Sequence, residues 1–278
     1  MKWLFVLFLA IIIFGGAAWF GYNFVFKQDI QVAKEQRGEV TPEPRLDLTL
    51  PEFEAAAKLR QEGKIPEARA ALATFIQKYP TSPSAEAAKD LLGEVNISIF
   101  LSRTPSPEKE EYIVKPGDVL AKVARKMKTT PELIMRMNNM SSTMLHIGEK
   151  LLVSHPDFSI VVQRKQKVVT LLNHGGFFKQ YHMREEKLPA RVPAKVQTKV
   201  AEVMAWRDGK RVGFGTKEFI GSTRWIRFSN QAYTIFAMPD AAHQVVEPPP
   251  PQGIGLSAGD VEELSSLINK QTPVTITD

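Results

Sequence analysis

The chain has 278 residues, 44% of them hydrophobic and 24% charged, proportions that support folded domains with real cores rather than a disordered polymer. It contains no cysteine, which excludes a disulfide framework, a thiolate metal site, a thiol nucleophile and a lipidated cysteine. The net charge of +6 is uneven: residues 154–217 carry thirteen basic against five acidic side chains, and residues 218–278 three against seven. Such a basic stretch either meets anionic neighbours or pairs with the acidic stretch beside it.

Trp3 to Phe26 holds no charged residue. Its length of about 36 Å as a helix predicts a transmembrane anchor over residues 1–26, with Trp3, Trp19 and Tyr22 near its ends. The rival reading is a cleaved signal segment, with Lys2 before the apolar core Leu4–Phe14 and a small-residue site at Gly15-Gly16-Ala17. The apolar run continues nine residues past that site, which favours the anchor. Either way, the rest of the chain is exported. Residues 27–50, with Thr41-Pro42-Glu43-Pro44, read as a polar tether.

Residues 51–101 carry three helical patterns. Phe53, Ala56, Ala57 and Arg60 share a face before Gly63-Lys64, and Ala68, Ala71, Leu72, Phe75, Ile76 and Tyr79 mark an amphipathic helix after Pro66. Ala85, Ala88, Leu92 and Val95 line a third helix beyond Pro80-Thr81-Ser82-Pro83. With small alanines at the crossings and Tyr-Pro closing the second helix, this string resembles a tetratricopeptide-type hairpin. It has about one and a half units where a solenoid needs about three. The resemblance implies a protein-docking hairpin; the plainer reading is a helical spacer packed on itself or on the next domain. A Ser/Pro/charge-rich linker, 102–110, comes next.

In residues 111–154, Tyr112-Ile113-Val114 reads as a short strand and Pro116-Gly117-Asp118 as a turn, with Asp118 placed to cap a helix. Leu120, Val123, Ala124 and Met127 follow at helical spacing. Thr130-Pro131-Glu132 opens a second helix, with Leu133, Ile134 and Met137 as its apolar face, and Lys150–Val153 forms a last strand. The strings Y-x-V-K-P-G-D-x-L at 112–120 and L-x-I-G-x-K-L-x-V at 145–153, with Ala124, Leu133 and Asn138 between them, resemble the LysM family. Val119 stands where that family commonly carries Thr or Ser, which weakens a polar contact near the sugar groove. The resemblance implies a βααβ module that binds N-acetylglucosamine-containing glycans. Its groove would lie between Pro116, Gly117, Asp118, Val119 and Leu120 on one side and Met144, Leu145, His146 and Ile147 on the other. Leu120 and Ile147 would take the acetamido methyl, while Asn138 reads as a helix-ending residue and His146 as a solvated loop residue.

Residues 155–278 alternate strand signals with turns: Phe158–Val162, Val168–Leu172, Phe177–Tyr181, two strands flanking Asp208-Gly209, Trp225–Phe228 and Tyr233–Phe236. A helix from Gly259-Asp260 precedes a terminal strand, Val274–Ile276. This order resembles the L,D-transpeptidase catalytic domain of the YkuD type, a β-sandwich that crosslinks peptidoglycan through a cysteine acyl-enzyme. Aligning Leu256-Ser257 with that family's active turn puts Gly253 at the cysteine, Gly255 at the arginine and Pro251 at a histidine, while Phe236 stands at the other histidine. Acyl transfer needs a nucleophile, a base and oxyanion donors, so none of these positions is expected to be catalytic.

The expected fold class is therefore multidomain α+β: an N-terminal transmembrane helix, a helical hairpin, a βααβ module and a mainly antiparallel β-sandwich with a late helix. His174, His182 and His243 show no metal-ligand spacing, and neither metal nor cofactor is expected. Few aromatics interleave the basic set at 164–217, which disfavours nucleic acid as a partner. The resemblances imply a membrane-anchored protein of the bacterial cell envelope whose soluble part faces the periplasm or outside. It would hold peptidoglycan and use the transpeptidase-like domain for binding or for scaffolding wall enzymes. Two alternatives stay open: a divergent L,D-transpeptidase or peptidoglycan hydrolase with another nucleophile, and an interaction adaptor acting through the helical hairpin.

Overall fold

The computed structural model describes residues 47–103, 106–188, 193–230, 233–239 and 252–278. The expected membrane segment and Pro251 lie outside them, and among the described residues no helix is long and apolar enough to cross a membrane. Proline near the first turn starts both α1 (Leu50–Gln61) and α2 (Ile65–Lys78), where its missing N–H costs nothing. Gly63, at φ 76°, supplies the left-handed residue that ends α1. With α3 (Ala85–Leu101) they bury Ala56, Leu72, Phe75, Ala88, Leu92 and Val95 in one cluster.

The third helix runs past the expected face to Leu101, and its last turns serve a different core. Phe100 stacks edge-on against Phe158 and Phe178, with ring centroids 5.7 and 5.5 Å away. The βααβ module consists of β1 (Lys109–Ile113), α4 (Leu120–Lys126), α5 (Pro131–Met137) and β2 (Lys150–Ser154). Its two strands pair antiparallel with Glu111 opposite Leu152, and Tyr112, Leu120, Val123, Ile134 and Leu151 fill its core. Thr130 caps α5 by accepting a 3.0 Å hydrogen bond from the Leu133 amide, as its sequence predicts.

The remaining chain forms β3 (Phe158–Gln163), β4 (Val168–Asn173), β5 (Gly176–His182), β6 (Glu185–Lys187), β7 (Lys195–Arg207), β8 (Lys210–Val212), β9 (Thr223–Phe228), β10 (Thr234–Ala237), β11 (Gly253–Leu256), α6 (Ala258–Leu267) and β12 (Pro273–Thr277). These strands make one hydrogen-bonded path, β5-β4-β3-β12-β7-β9-β10-β11-β6, with β8 beside β7. Among the described strands, only β3 with β12 and β10 with β11 run parallel. The long strand β7 joins the two halves. Lys195–Lys199 pairs with β12 and Val200–Trp206 with β9, the latter pairing shifting register between Val200 and Glu202. Ile160, Leu171 and Val274 from one half meet Ile226, Ile235 and Ile254 from the other in a single core, closed by Val261 and Leu264 of α6.

Two contacts fix the helical parts onto this sheet. At the first, α3 lies on β5 so closely that a Cβ on Gly93 would sit 2.8 Å from Cγ of Lys179 and 3.2 Å from its Cα. Asn96 donates a 2.7 Å bond to the Phe178 carbonyl, and the buried Lys179 ammonium lies 2.6 Å from Glu94 and 2.8 Å from Glu263. At the second, Leu133 and Met137 of α5 enter the β core while Ile134 stays in the module's own core. Thr130 donates to the Ser266 carbonyl at 2.8 Å, and Glu132 pairs with the buried Arg224 at 3.1 Å.

Desolvation acts against the charge on Lys179, but its bonds to Glu263 and Glu94 outweigh it and hold the ammonium above the ordinary lysine pKa. Lys179→Ala should cost about 2–3 kcal/mol, because two carboxylates lose their cation. A raised pKa contributes stability that is complete below the ordinary lysine value and fades as pH rises through the folded one. The gap between wild type and variant should therefore be flat through neutral pH and narrow only in strong alkali, as read by urea denaturation.

Candidate functional site

Two loops of the βααβ module are held side by side by backbone bonds: the Val114 amide donates to the Glu149 carbonyl and the Gly148 amide to the Val114 carbonyl, both at 2.9 Å. Gly117 and Gly148 give these loops their left-handed corners, at φ 80° and 84°. On this rim Val119, Met144 and Ile147 are 51%, 69% and 73% exposed. Pro116, Gly117 and His146 are also exposed, and Leu145 is half-buried against the module core. Three apolar side chains beside exposed turn backbone offer methyl-sized contacts together with peptide donors and acceptors.

Two expectations need correction. Asp118 does not cap α4, whose N-cap residue is Val119. Its carboxylate instead accepts from the Lys115 amide at 2.9 Å and from the Tyr112 hydroxyl at 2.8 Å, closing the turn on itself. Leu120 is 3% exposed in the module core and is not available to a ligand. Asn138 ends α5 and clamps β2: its amide donates to the Ile134 and Leu152 carbonyls, and its side-chain oxygen accepts from the Leu152 amide, all at 2.8 Å.

The other candidate positions lie on one rung of the sheet. Register places Met204, Trp225, Phe236 and Gly255 directly opposite one another across β7, β9, β10 and β11. Strand alternation turns their neighbours Val203, Ile226, Ile235 and Ile254 the opposite way, toward the main core. Phe236 is fully buried with Met204 and Trp225, and Trp206 and Met238 pack around them. The two indoles lie 5.2 Å apart. A Cβ on Gly255 would fall 2.6 Å from the Met238 sulfur, and one on Gly253 would fall 1.9 Å from the Thr234 carbonyl oxygen. Gly253, at φ 152°, is thus closed to any side chain, and it begins strand β11. Pro251 is outside the described residues.

Hydroxyls near this region are already used. Ser257 caps α6 by accepting from the Asp260 amide at 3.1 Å, and Ser222 donates to the Phe219 carbonyl at 2.7 Å while accepting from Arg224 at 3.0 Å. Neither is bonded to a histidine among the described residues. Sequence patterns alone do not reveal the apolar rung. The one available signal is Met204 and Trp206 at strand spacing, but the partners that complete the rung come from three other strands.

Residues 112–154 match the LysM domain. Solved structures similar to the chain include an L,D-transpeptidase from Mycobacterium smegmatis, 11% identical with a TM-score of 0.30, covering 47% of this chain and 64% of that one. They also include Mycobacterium tuberculosis L,D-transpeptidase 3 with a faropenem-derived adduct, at 15% identity, TM-score 0.30 and coverages of 47% and 65%. An Enterococcus faecium L,D-transpeptidase variant is 14% identical with a TM-score of 0.29, over 49% and 56%. The chain thus spans less than two thirds of these three structures. No curated protein matches it.

Gly253→Cys should cost more than about 3 kcal/mol, because a Cβ there meets backbone. It should also give no carbapenem adduct by intact-protein mass spectrometry. The Lys115 amide and the Tyr112 hydroxyl hold the Asp118 carboxyl below its ordinary range. Its contribution is therefore complete above the ordinary carboxylate pKa and disappears as pH falls through the lowered value. Asp118→Ala should melt below wild type at neutral pH, and the difference should close in strong acid.

Proposed function

We propose that the chain is a cell-envelope protein, anchored by residues 1–26, that holds peptidoglycan on the loops of its LysM module. Its transpeptidase-like domain then serves as a scaffold rather than as an acyl-transfer catalyst. The reading rests on the match of residues 112–154 to a family that binds N-acetylglucosamine glycans, and on the rim of Val119, Met144 and Ile147 that the two loops leave open. The sealed glycine at 253 and the buried Phe236 support a non-catalytic second domain. The same sequence features support a bacterial envelope location and wall enzymes as further partners.

Excising the module is a poor test, since Leu133 and Met137 complete the β core. Surface substitution is cleaner. Val119→Glu with Ile147→Glu should abolish co-sedimentation with purified sacculi, while exposed sites of this kind change stability by about 0.5 kcal/mol or less. Unchanged pelleting by the folded variant would reject the glycan-binding rim. New crosslinks or released stem peptides in muropeptide profiles would reject the scaffold reading.

A further inference from the structure

Behind the LysM rim, where α4 and α5 meet the β7–β8 hairpin, lies a cavity of about 760 Å³. Arg125 and Lys128 enter it from the module and Lys270 from the β domain, while Arg211 only borders it, because its guanidinium lies on the far face of the hairpin over the Trp206 ring. The lining carboxylate, Glu132, is already paired with Arg224, and Arg211 is shared with Glu202. Among the described residues Arg125, Lys128 and Lys270 have no acid within ion-pair distance, although Lys270 is near enough to Glu202 to favour its charged form. The wall between the cations is apolar, formed by Val203, Ala205 and Val212 of the hairpin together with Ile268. Val203 and Ala205 alternate with Met204, so the cavity is on the opposite face of β7 from the aromatic rung.

Two details mark the cavity as built for a ligand. Thr129 lines it, is only 9% exposed, and carries a hydroxyl with no hydrogen-bond partner that is closed to solvent, a costly state that rotation of the side chain toward a polar ligand in the cavity would relieve. Lys128 occupies the left-handed position of a Schellman ending, at φ 51°: its own amide donates to Arg125 and the Thr129 amide to Ala124. The equivalent endings of α1 and α5 use Gly63 and Asn139, residues that tolerate this conformation. A lysine placed there at a conformational cost puts an ammonium at the cavity.

We propose that this cavity receives an acidic peptide branch of the glycan whose sugars lie on the LysM loops, an inference that rests on the glycan-binding reading above. The cations take the free carboxylates, the Thr129 hydroxyl turns to bond a peptide group, and the hairpin wall accepts small apolar side chains. A phosphate polymer would use the cations but leave that wall without a partner. The reach is sufficient. Helix α4 starts just after its N-cap Val119 on the rim and presents Ala121, Ala124 and Arg125 to the cavity. Its length is about 10 Å, and an extended peptide of four residues spans about 13 Å.

The test measures binding of full-length protein in detergent to soluble glycan oligomers with their peptides intact and to the same oligomers after amidase treatment. Wild type should prefer the peptide-bearing form by about tenfold, the worth of one or two charge-assisted bonds. Lys128→Gly should melt no lower than wild type, bind bare glycan equally and lose most of that preference; Arg125→Gln with Lys270→Gln should do the same. Equal wild-type affinity for both oligomers would overturn the cavity assignment and leave the LysM reading standing. Failure to bind either oligomer would overturn both. Displacement of the peptide-bearing oligomer by inorganic polyphosphate as efficiently as by free stem peptide would overturn the peptide assignment in favour of a phosphate ligand.

Discussion

A seven-residue helix holds the βααβ module and the β domain in one body. Helix α5 sends Leu133 and Met137 into the β-domain core and Ile134, between them in sequence, into the LysM core. Full burial of each such side chain is worth about 2 kcal/mol. The surrounding polar bonds, Glu132 to Arg224 and Thr130 to Ser266, fix the direction of the helix as well as its position. Arg224 is almost wholly buried, so any swing of the module would strand a charge away from water. The LysM domain is therefore a fixed wall of a larger unit running from Thr49 to Asp278. That rigidity makes a cavity between the module and the sheet a stable object.

The long strand β7 divides the chemistry of the β domain. One set of its side chains faces the main core and the basic cavity, and the alternate set faces the aromatic rung. The rung is filled by Trp, Phe and Met, and the glycines at 253 and 255 stand where a Cβ would meet Thr234 or Met238. Apolar packing of this kind stabilises the sheet. The exposed apolar side chains Val119, Met144 and Ile147 stand away from it, on the loops of the βααβ module.

Much of the fold was legible in the chain because local signals agreed with the final packing. The βααβ module could be read from Pro-Gly-Asp, Thr-Pro-Glu and the apolar spacing between them, and the short strands from their alternation and their Asp-Gly turn. Asp118 misled because an aspartate before a helix can also close its own turn, and the winner depends on Tyr112, which comes from the strand before it. Leu120 misled because its place in the family's loop motif says nothing of which way a side chain at the start of α4 points. The junction was invisible for a more general reason. Glu132 meets Arg224 across 92 positions and Lys179 meets Glu94 across 85, and pairing at such separations leaves no periodic trace. The basic excess at 154–217 was visible as composition, but its use in pairs such as Arg164 with Glu186, Lys179 with Glu94 and Glu263, and Arg211 with Glu202 was not.

A strand at a sheet margin presents unpaired amides and carbonyls to any passing chain. Here α3 lies over one terminal strand of the long sheet, β5, and Asn96 occupies the Phe178 carbonyl. The opposite terminal strand, β6, is only the three residues Glu185, Glu186 and Lys187. A short, charged margin at one end and a helix-covered margin at the other discourage polymerisation by strand addition. For a protein proposed to crowd against a repetitive polymer, where neighbouring copies would sit at high local density, this geometry keeps attachment to the wall separate from self-aggregation.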